Sequence, residues 1–317
     1  MPASRIADGS STLRVRLSAD VAPGSPAPSL SPRVAGAWKA VGTQERFTPS
    51  STLAPCSTYT LTVWGRTVAV GERPLGHRRT ATIRVSCPPL RGLQQALARL
   101  RYLPFSLRSP HRANAVNRRE SGAQAAHYAY HPPAGRLVPY LPHSPGLWYG
   151  ALDPTTRGAL MVFQSSHGLA PTGIPDPRTW MSLLTDETHA RSDPRPYTFV
   201  TVSERLPETL QVREGHHLVL SSPTNTGVAG ARTQIGTFPI YARYVATTMS
   251  GTNPDGSHYS DPGVPWVNYF NGGDAVHGFP RPSYGTPQSN GCVELPIGAA
   301  AQVYRMLSIG DLVIVSG

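Results

Sequence analysis

Cys292 closes the run Ser289-Asn290-Gly291-Cys292, fifteen residues after His277. A free thiol is mostly protonated at neutral pH, and an imidazole within reach can take its proton, leaving sulfur able to attack a carbonyl. Gly291 suits a tight turn that exposes the sulfur and turns backbone N–H groups toward a developing oxyanion. Each such donor is worth about 3 kcal/mol. The pair alone does not separate a nucleophile from the small buried hydrophobe that an unpaired cysteine commonly is.

The chain has three cysteines, an odd number that suggests one pair and one free thiol. Cys56 and Cys87 each sit beside a strand-like run. A disulfide between them, which an exported domain would tolerate, is the preferred reading, with two buried free thiols as the alternative. His216-His217 has no third ligand at metal spacing, so no zinc site is expected and no cofactor is implied. Tyr197, Trp266 and Phe270 read as core or cleft wall.

The elements that must position these residues are constrained by composition. The chain has 317 residues, enough for two or three domains. Its 33 prolines and 30 glycines favour short strands and turns over long helices. The net charge of +11 is carried almost wholly by arginine, since Lys39 is the only lysine. Such charge suits an anionic partner, but no zinc-finger spacing, RNP-like stretch or basic zipper points to nucleic acid. No run of eighteen apolar residues appears. Met1-Pro2-Ala3-Ser4 opens no apolar h-region, so any signal peptide or anchor is expected outside these residues.

Alternation in Leu13-Val15-Leu17, Tyr59-Leu61-Val63 and Ile83-Val85 predicts an all-β segment over 1–88, read as a small immunoglobulin-like sandwich. Leu93, Leu97 and Leu100 predict a helix over Leu90–Leu103. Further helices are expected over Pro154–His167, with Asp153 as N-cap, and over Pro177–Leu184. Between the first two lies an arginine-rich insert, about 105–147, with Arg108, Arg112, Arg118, Arg119 and Arg136 among Tyr128, Tyr130 and Tyr140. From Arg91 to Gly150 eight arginines face one acid, Glu120, so +7 of the chain's +11 lies there. That stretch reads either as a contact for an anionic polymer or as a solvated loop. From Arg195 onward the pattern is β again, with Glu214-Gly215 as a hairpin turn, one late helix over Ile297–Leu307 and a closing strand over Leu312–Val315.

Two resemblances sharpen this. Leu93-Gln94-Gln95-Ala96-Leu97, Phe163-Gln164, Gly168-Leu169, Thr172-Gly173 and Thr179-Trp180 resemble a three-helix peptidoglycan-binding domain. His277-Gly278 followed by Ser289-x-Gly291-Cys292-Val293-x-Leu295 resembles the L,D-transpeptidase (YkuD-like) signature. Thr233-Gln234-Ile235-Gly236-Thr237-Phe238 and Phe270-Asn271-Gly272-Gly273 resemble that family's neighbouring runs. The implied architecture is multidomain and mainly β: an immunoglobulin-like sandwich (1–88), a helical peptidoglycan-binding domain with a basic insert (89–189), and a β-rich catalytic domain (190–317).

The resemblance implies an exported, wall-associated enzyme that forms 3→3 cross-links between peptidoglycan stem peptides, donor and acceptor, with release of D-Ala. Carbapenems are expected to acylate it. Cys292 is the implied nucleophile and His277 the base, with the Gly291 and Cys292 amides as oxyanion donors and Ser289, Asn290 and Gly278 as support. Tyr259 reads as a flap tyrosine or an ordinary loop tyrosine. The alternatives are an L,D-carboxypeptidase and a non-catalytic peptidoglycan-binding wall protein. Asn290 and Glu294 depart from the family pattern, which carries His at the first position and Arg or Asn at the second. A carboxylate at 294 would raise the thiol pKa if close.

Overall fold

The computed structural model describes residues 4–6, 12–18, 20–50, 52–68, 70–71, 73–108, 135–141 and 148–317. Arg112, Arg118, Arg119, Tyr128 and Tyr130 of the basic insert lie outside the described residues. By compactness, Met1–Leu93 with Pro175–Ala190 form one unit; Gln94–Pro110, Ala134–Ile174 and Arg191–Gly317 form the other.

The first unit opens with seven strands: β1 (Ser4–Ile6), β2 (Leu13–Arg16), β3 (Ser29–Ser31), β4 (Gly36–Val41), β5 (Gln44–Pro49), β6 (Thr58–Val63) and β7 (Arg79–Val85). They form two sheets, β1-β7-β6-β3 and β2-β5-β4. The alternation read from the sequence is the burial pattern of β2 and β6, because successive side chains leave opposite faces of a strand. Leu13, Val15, Phe47, Tyr59, Leu61, Val63, Ile83 and Val85 make one core. Cys56 and Cys87 are disulfide-bonded, with Cα atoms 4.4 Å apart.

Four helices occur among the described residues. Helix α1 (Leu90–Arg99) ends before the expected Leu103, because Arg101 takes a left-handed conformation (φ 67°) that stops the helix. Strands β8 (Phe105–Arg108) and β9 (Arg136–Pro139) then pair, bringing Arg108 opposite Arg136. Helix α2 (Pro154–Ser166) starts where Asp153 Oδ1 accepts the Thr156 N–H at 2.7 Å. Helix α3 (Pro177–His189) runs five residues past the expected Leu184 and stops at Ala190, which is left-handed (φ 52°).

The rest of the second unit is a two-sheet body. Its strands are β10 (Thr198–Ser203), β11 (Thr209–Glu214), β12 (His217–Pro223), β13 (Gly236–Pro239), β14 (Ala242–Thr252), β15 (His258–Asn271), β16 (Asp274–Gly278), β17 (Val293–Leu295) and β18 (Leu312–Ser316). One sheet runs β12-β11-β10-β18-β13, the other β14-β15-β16-β17. Valines 200, 202, 212, 313 and 315 from the first meet Phe270, Val276, Val293 and Leu295 from the second, with Ala300 and Val303 of helix α4 (Ile297–Met306). Each buried valine, leucine or phenylalanine among them contributes about 1.5–3 kcal/mol. Helix α2 seats on this body through two glycines. A Cβ on Gly158 would come 2.5 Å from the Gly310 carbonyl oxygen, so only glycine allows that approach. No helix among the described residues is long and apolar enough to cross a membrane.

Candidate active site

β16 and β17 pair in parallel, with Val276 opposite Val293 and His277 opposite Glu294. The two valines are fully buried in the core between the sheets. Strand alternation therefore turns Ala275, His277 and Glu294 to the other face, and Cys292, one residue before Val293, joins them. The sequence distance between His277 and Cys292 vanishes in this pairing. Both line a cleft of about 200 Å³ with Tyr259, Phe279, Arg281 and Asn290.

His277 is 3% exposed, and its Nδ1 lies 3.0 Å from the Gly278 carbonyl oxygen. A carbonyl only accepts, so Nδ1 carries the hydrogen and a neutral ring keeps its lone pair on Nε2. Burial pushes the His277 pKa below the ordinary histidine value, which favours that neutral form. Phe279 meets the ring edge-on, with centroids 6.0 Å apart.

Cys292 is the only unpaired cysteine. Its Sγ lies 3.8 Å from the Gly273 carbonyl oxygen. Burial pushes the thiol pKa up to about 12, the Ala275 amide lowers it, and the carboxylates of Asp274 and Glu294 raise it further. The resting pair is thus a neutral thiol beside a neutral imidazole. Attack requires a base to remove the proton as sulfur advances, the role a buried neutral histidine can fill.

The turn before Cys292 is braced from several sides. Gly291 has φ 110°, and a Cβ there would stand 2.6 Å from Asp274 Oδ1. Thr233 Oγ1 donates to the Gly291 carbonyl at 2.9 Å and accepts the Gly227 N–H at 2.9 Å. Ser289 Oγ donates to the Cys292 carbonyl at 2.6 Å and accepts the Gly291 N–H at 3.2 Å. The Gly291 amide is therefore engaged within the turn in this state. Asn290 Nδ2 donates to Asn253 Oδ1 at 2.6 Å, joining the turn to the tip of the β14–β15 hairpin. Gly278 serves packing: a Cβ there would meet Ile297 of α4 at 3.0 Å.

Tyr259 stands on the same hairpin, opposite Gly251. Its ring lies over that glycine, where a Cβ would come 2.8 Å from the phenol oxygen. Burial raises the Tyr259 pKa and Cys292 raises it further; the two side chains line the same cleft. Trp266 packs against Tyr304, and Phe270 is core. His216 and His217 follow β11 in its hairpin with β12. Among the described residues no group of three His, Cys, Asp or Glu side chains is arranged for a metal ion.

Sequence reading missed two residues that the fold brings in. Arg281 reaches Glu294 with two hydrogen bonds of 2.8 Å each, so the carboxylate two residues after the thiol is paired with a cation. Asp274 lies against Gly291 and influences the thiol more than Glu294 does. Its place three residues before His277, next to the Phe270-Asn271-Gly272-Gly273 run, was the available signal.

Residues 197–315 match the family model of the L,D-transpeptidase catalytic domain, and residues 140–183 match that of a peptidoglycan binding domain. Comparison with curated proteins gives no match. Among solved structures, the catalytic domain of an Enterococcus faecium L,D-transpeptidase is 22% identical over 39% of this chain and 100% of that one, with a TM-score of 0.35. An L,D-transpeptidase from Mycobacterium smegmatis is 14% identical over 99% of this chain and 94% of that one, TM-score 0.35. L,D-transpeptidase 3 from Mycobacterium tuberculosis, carrying a faropenem-derived adduct, is 12% identical over 99% and 94%, TM-score 0.35.

Proposed function

We propose that this L,D-transpeptidase catalytic domain forms 3→3 cross-links in peptidoglycan through a thioester on Cys292. The observation that carries the reading is the β16–β17 register, which sets His277 and Cys292 on one face with the Nε2 lone pair left free to accept. His277 takes the thiol proton as sulfur attacks the carbonyl of the third stem residue. It returns that proton to the departing D-Ala nitrogen, and the acyl group stays on sulfur. The Cys292 amide is the readier oxyanion donor, since the Gly291 amide would first have to leave Ser289 Oγ. Tyr259, which lines the same cleft from the hairpin, is assigned to substrate contact there.

The domain division proposed with it is an immunoglobulin-like sandwich to residue 88, a helical peptidoglycan-binding domain to 189, then the catalytic domain. Two sheets around one core support the first assignment, and the disulfide supports the reading of an exported protein. The test is incubation with a purified stem tetrapeptide. Released D-Ala together with a cross-linked dimer supports the reading, whereas D-Ala with free tripeptide alone would make the protein an L,D-carboxypeptidase.

A further inference from the structure

Asp274 is a carboxylate for which the first half-reaction has no use. It begins β16, touches the turn that carries Cys292, and opposes ionisation of the thiol. Asn271 Nδ2 donates to its Oδ2 at 3.3 Å, and the Gln234 amide also donates to it. No arginine or lysine pairs with it among the described residues. A half-buried carboxylate without a cation, set beside a nucleophile it hinders, is a cost that a positively charged ligand would offset.

Its surroundings suit such a ligand. Tyr269 and Cys292 pack against one buried cluster that includes Val267 and Ala275, Tyr241 stacks on Tyr269 at 6.1 Å, and Tyr244 meets Tyr269 edge-on at 6.0 Å. Tyr241 and Tyr244 are 44% and 49% exposed. The Tyr241 hydroxyl donates to the Gly272 carbonyl in the turn that leads into Asp274. None of these residues lines the cleft that holds His277 and Tyr259. Cys292 Sγ and the Tyr241 hydroxyl thus approach successive carbonyls, Gly273 and Gly272, of the turn that ends at Asp274, and a carboxylate beside aromatic rings is the combination that recognises an ammonium on an alkyl stem.

We propose that Asp274, flanked by Tyr241 and Tyr269, receives the protonated amine of the acceptor and takes one proton from it before attack. This rests on the transpeptidase reading and assigns its second half-reaction. The ammonium gives one proton to the Asp274 carboxylate, and the free amine attacks the thioester carbon. The C–N bond forms, the C–S bond breaks, and sulfur leaves as thiolate. The second nitrogen proton passes through His277 to that thiolate, and Asp274 returns its proton to water. Ammonium and thioester become amide, thiol and one released proton. Burial raises the Asp274 pKa, which makes it a better proton acceptor than an exposed aspartate.

The experiment loads the enzyme with the stem tetrapeptide and offers n-butylamine, charged at neutral pH, or hydroxylamine, which is not. Transfer to each is measured in the parent and in Asp274→Asn, a substitution that keeps the side-chain shape. The ratio of butylamine to hydroxylamine transfer is expected to fall about 10²-fold in the variant. An unchanged ratio, whether both rates persist or both fall together, would overturn the proposal and leave Asp274 a structural residue. A parent that releases no D-Ala fails earlier, and overturns the transpeptidase reading itself.

Discussion

Arg281 holds Glu294 in a two-point clasp, Nε to Oε2 and Nη2 to Oε1, each at 2.8 Å. The guanidinium also donates to the Gln288 carbonyl at 3.1 Å and lies over the Phe279 ring, 4.8 Å from its centroid. The carboxylate that looked in the sequence like an obstacle to the thiolate is therefore largely neutralised, and Arg281 becomes part of the cleft wall.

Arg281→Gln should leave Glu294 buried without its cation. The expected cost is roughly 3 kcal/mol of stability, since removing one partner strands a desolvated charge. The thiol pKa should rise further, and alkylation of Cys292 at pH 7.5 should slow. Glu294→Arg, which moves toward the family pattern, should also destabilise by setting two guanidinium groups together. Arg281→Glu combined with Glu294→Arg should recover most of the loss. Urea denaturation of the four proteins checks this; equal stability of Arg281→Gln and parent would make the clasp a surface pair.

His277 should show its state in a pH profile. Its depressed pKa means that acylation rises with pH through a value below 6.5 and is flat across neutrality. With the thiol pushed up to about 12, the His277→Ala protein has no base, and its rate should climb about tenfold per pH unit through the same range. At pH 7 the variant should be slower by about 10² to 10⁴. A variant that keeps the parental rate and plateau would assign the base elsewhere.

Asp311 gives a stability test away from the cleft. Burial raises its pKa to about 7, with Arg195 and the Ser308 amide opposing the shift. The folded state therefore keeps a proton that the unfolded chain loses near pH 4. Stability from this group is full below pH 4 and is lost as pH rises to about 7. Asp311→Asn should flatten that slope in denaturation curves taken from pH 4 to 8, and an unaltered slope would place the titrating group elsewhere.

The hairpin latch is testable on its own. Asn290→Ala removes the 2.6 Å hydrogen bond to Asn253 Oδ1, worth about 1 kcal/mol, and leaves the Asn253–Ser257 bond of the tip in place, so amide exchange over 252–258 should quicken. Exchange elsewhere in the catalytic sheets should stay as in the parent. Unchanged protection at the hairpin tip would show that the latch does not hold it.

The sequence made the chemistry legible because the thiol, the imidazole and the left-handed Gly291 are local features. Alternation likewise marked β2, β6 and β7, and Asp153 marked the start of α2. Pairing between distant segments was not legible. The parallel β16–β17 register decides that His277 faces Glu294, and nothing local announces which strands will meet. Arg281 and Asp274 escaped for that reason, as side chains given meaning by partners far along the chain. Helix ends at Arg99 and His189 were misjudged because backbone conformation at Arg101 and Ala190 set them, and hydrophobic period did not.

The central claim is that Cys292 is a nucleophile activated by its neighbours, and intact-protein mass spectrometry after carbapenem treatment tests it most directly. The account predicts one adduct per chain, mapped by proteolysis to Cys292, absent in Cys292→Ala and much slower to form in His277→Ala. An unmodified parent, or an adduct on Cys56 or Cys87 with Cys292 untouched, would contradict it.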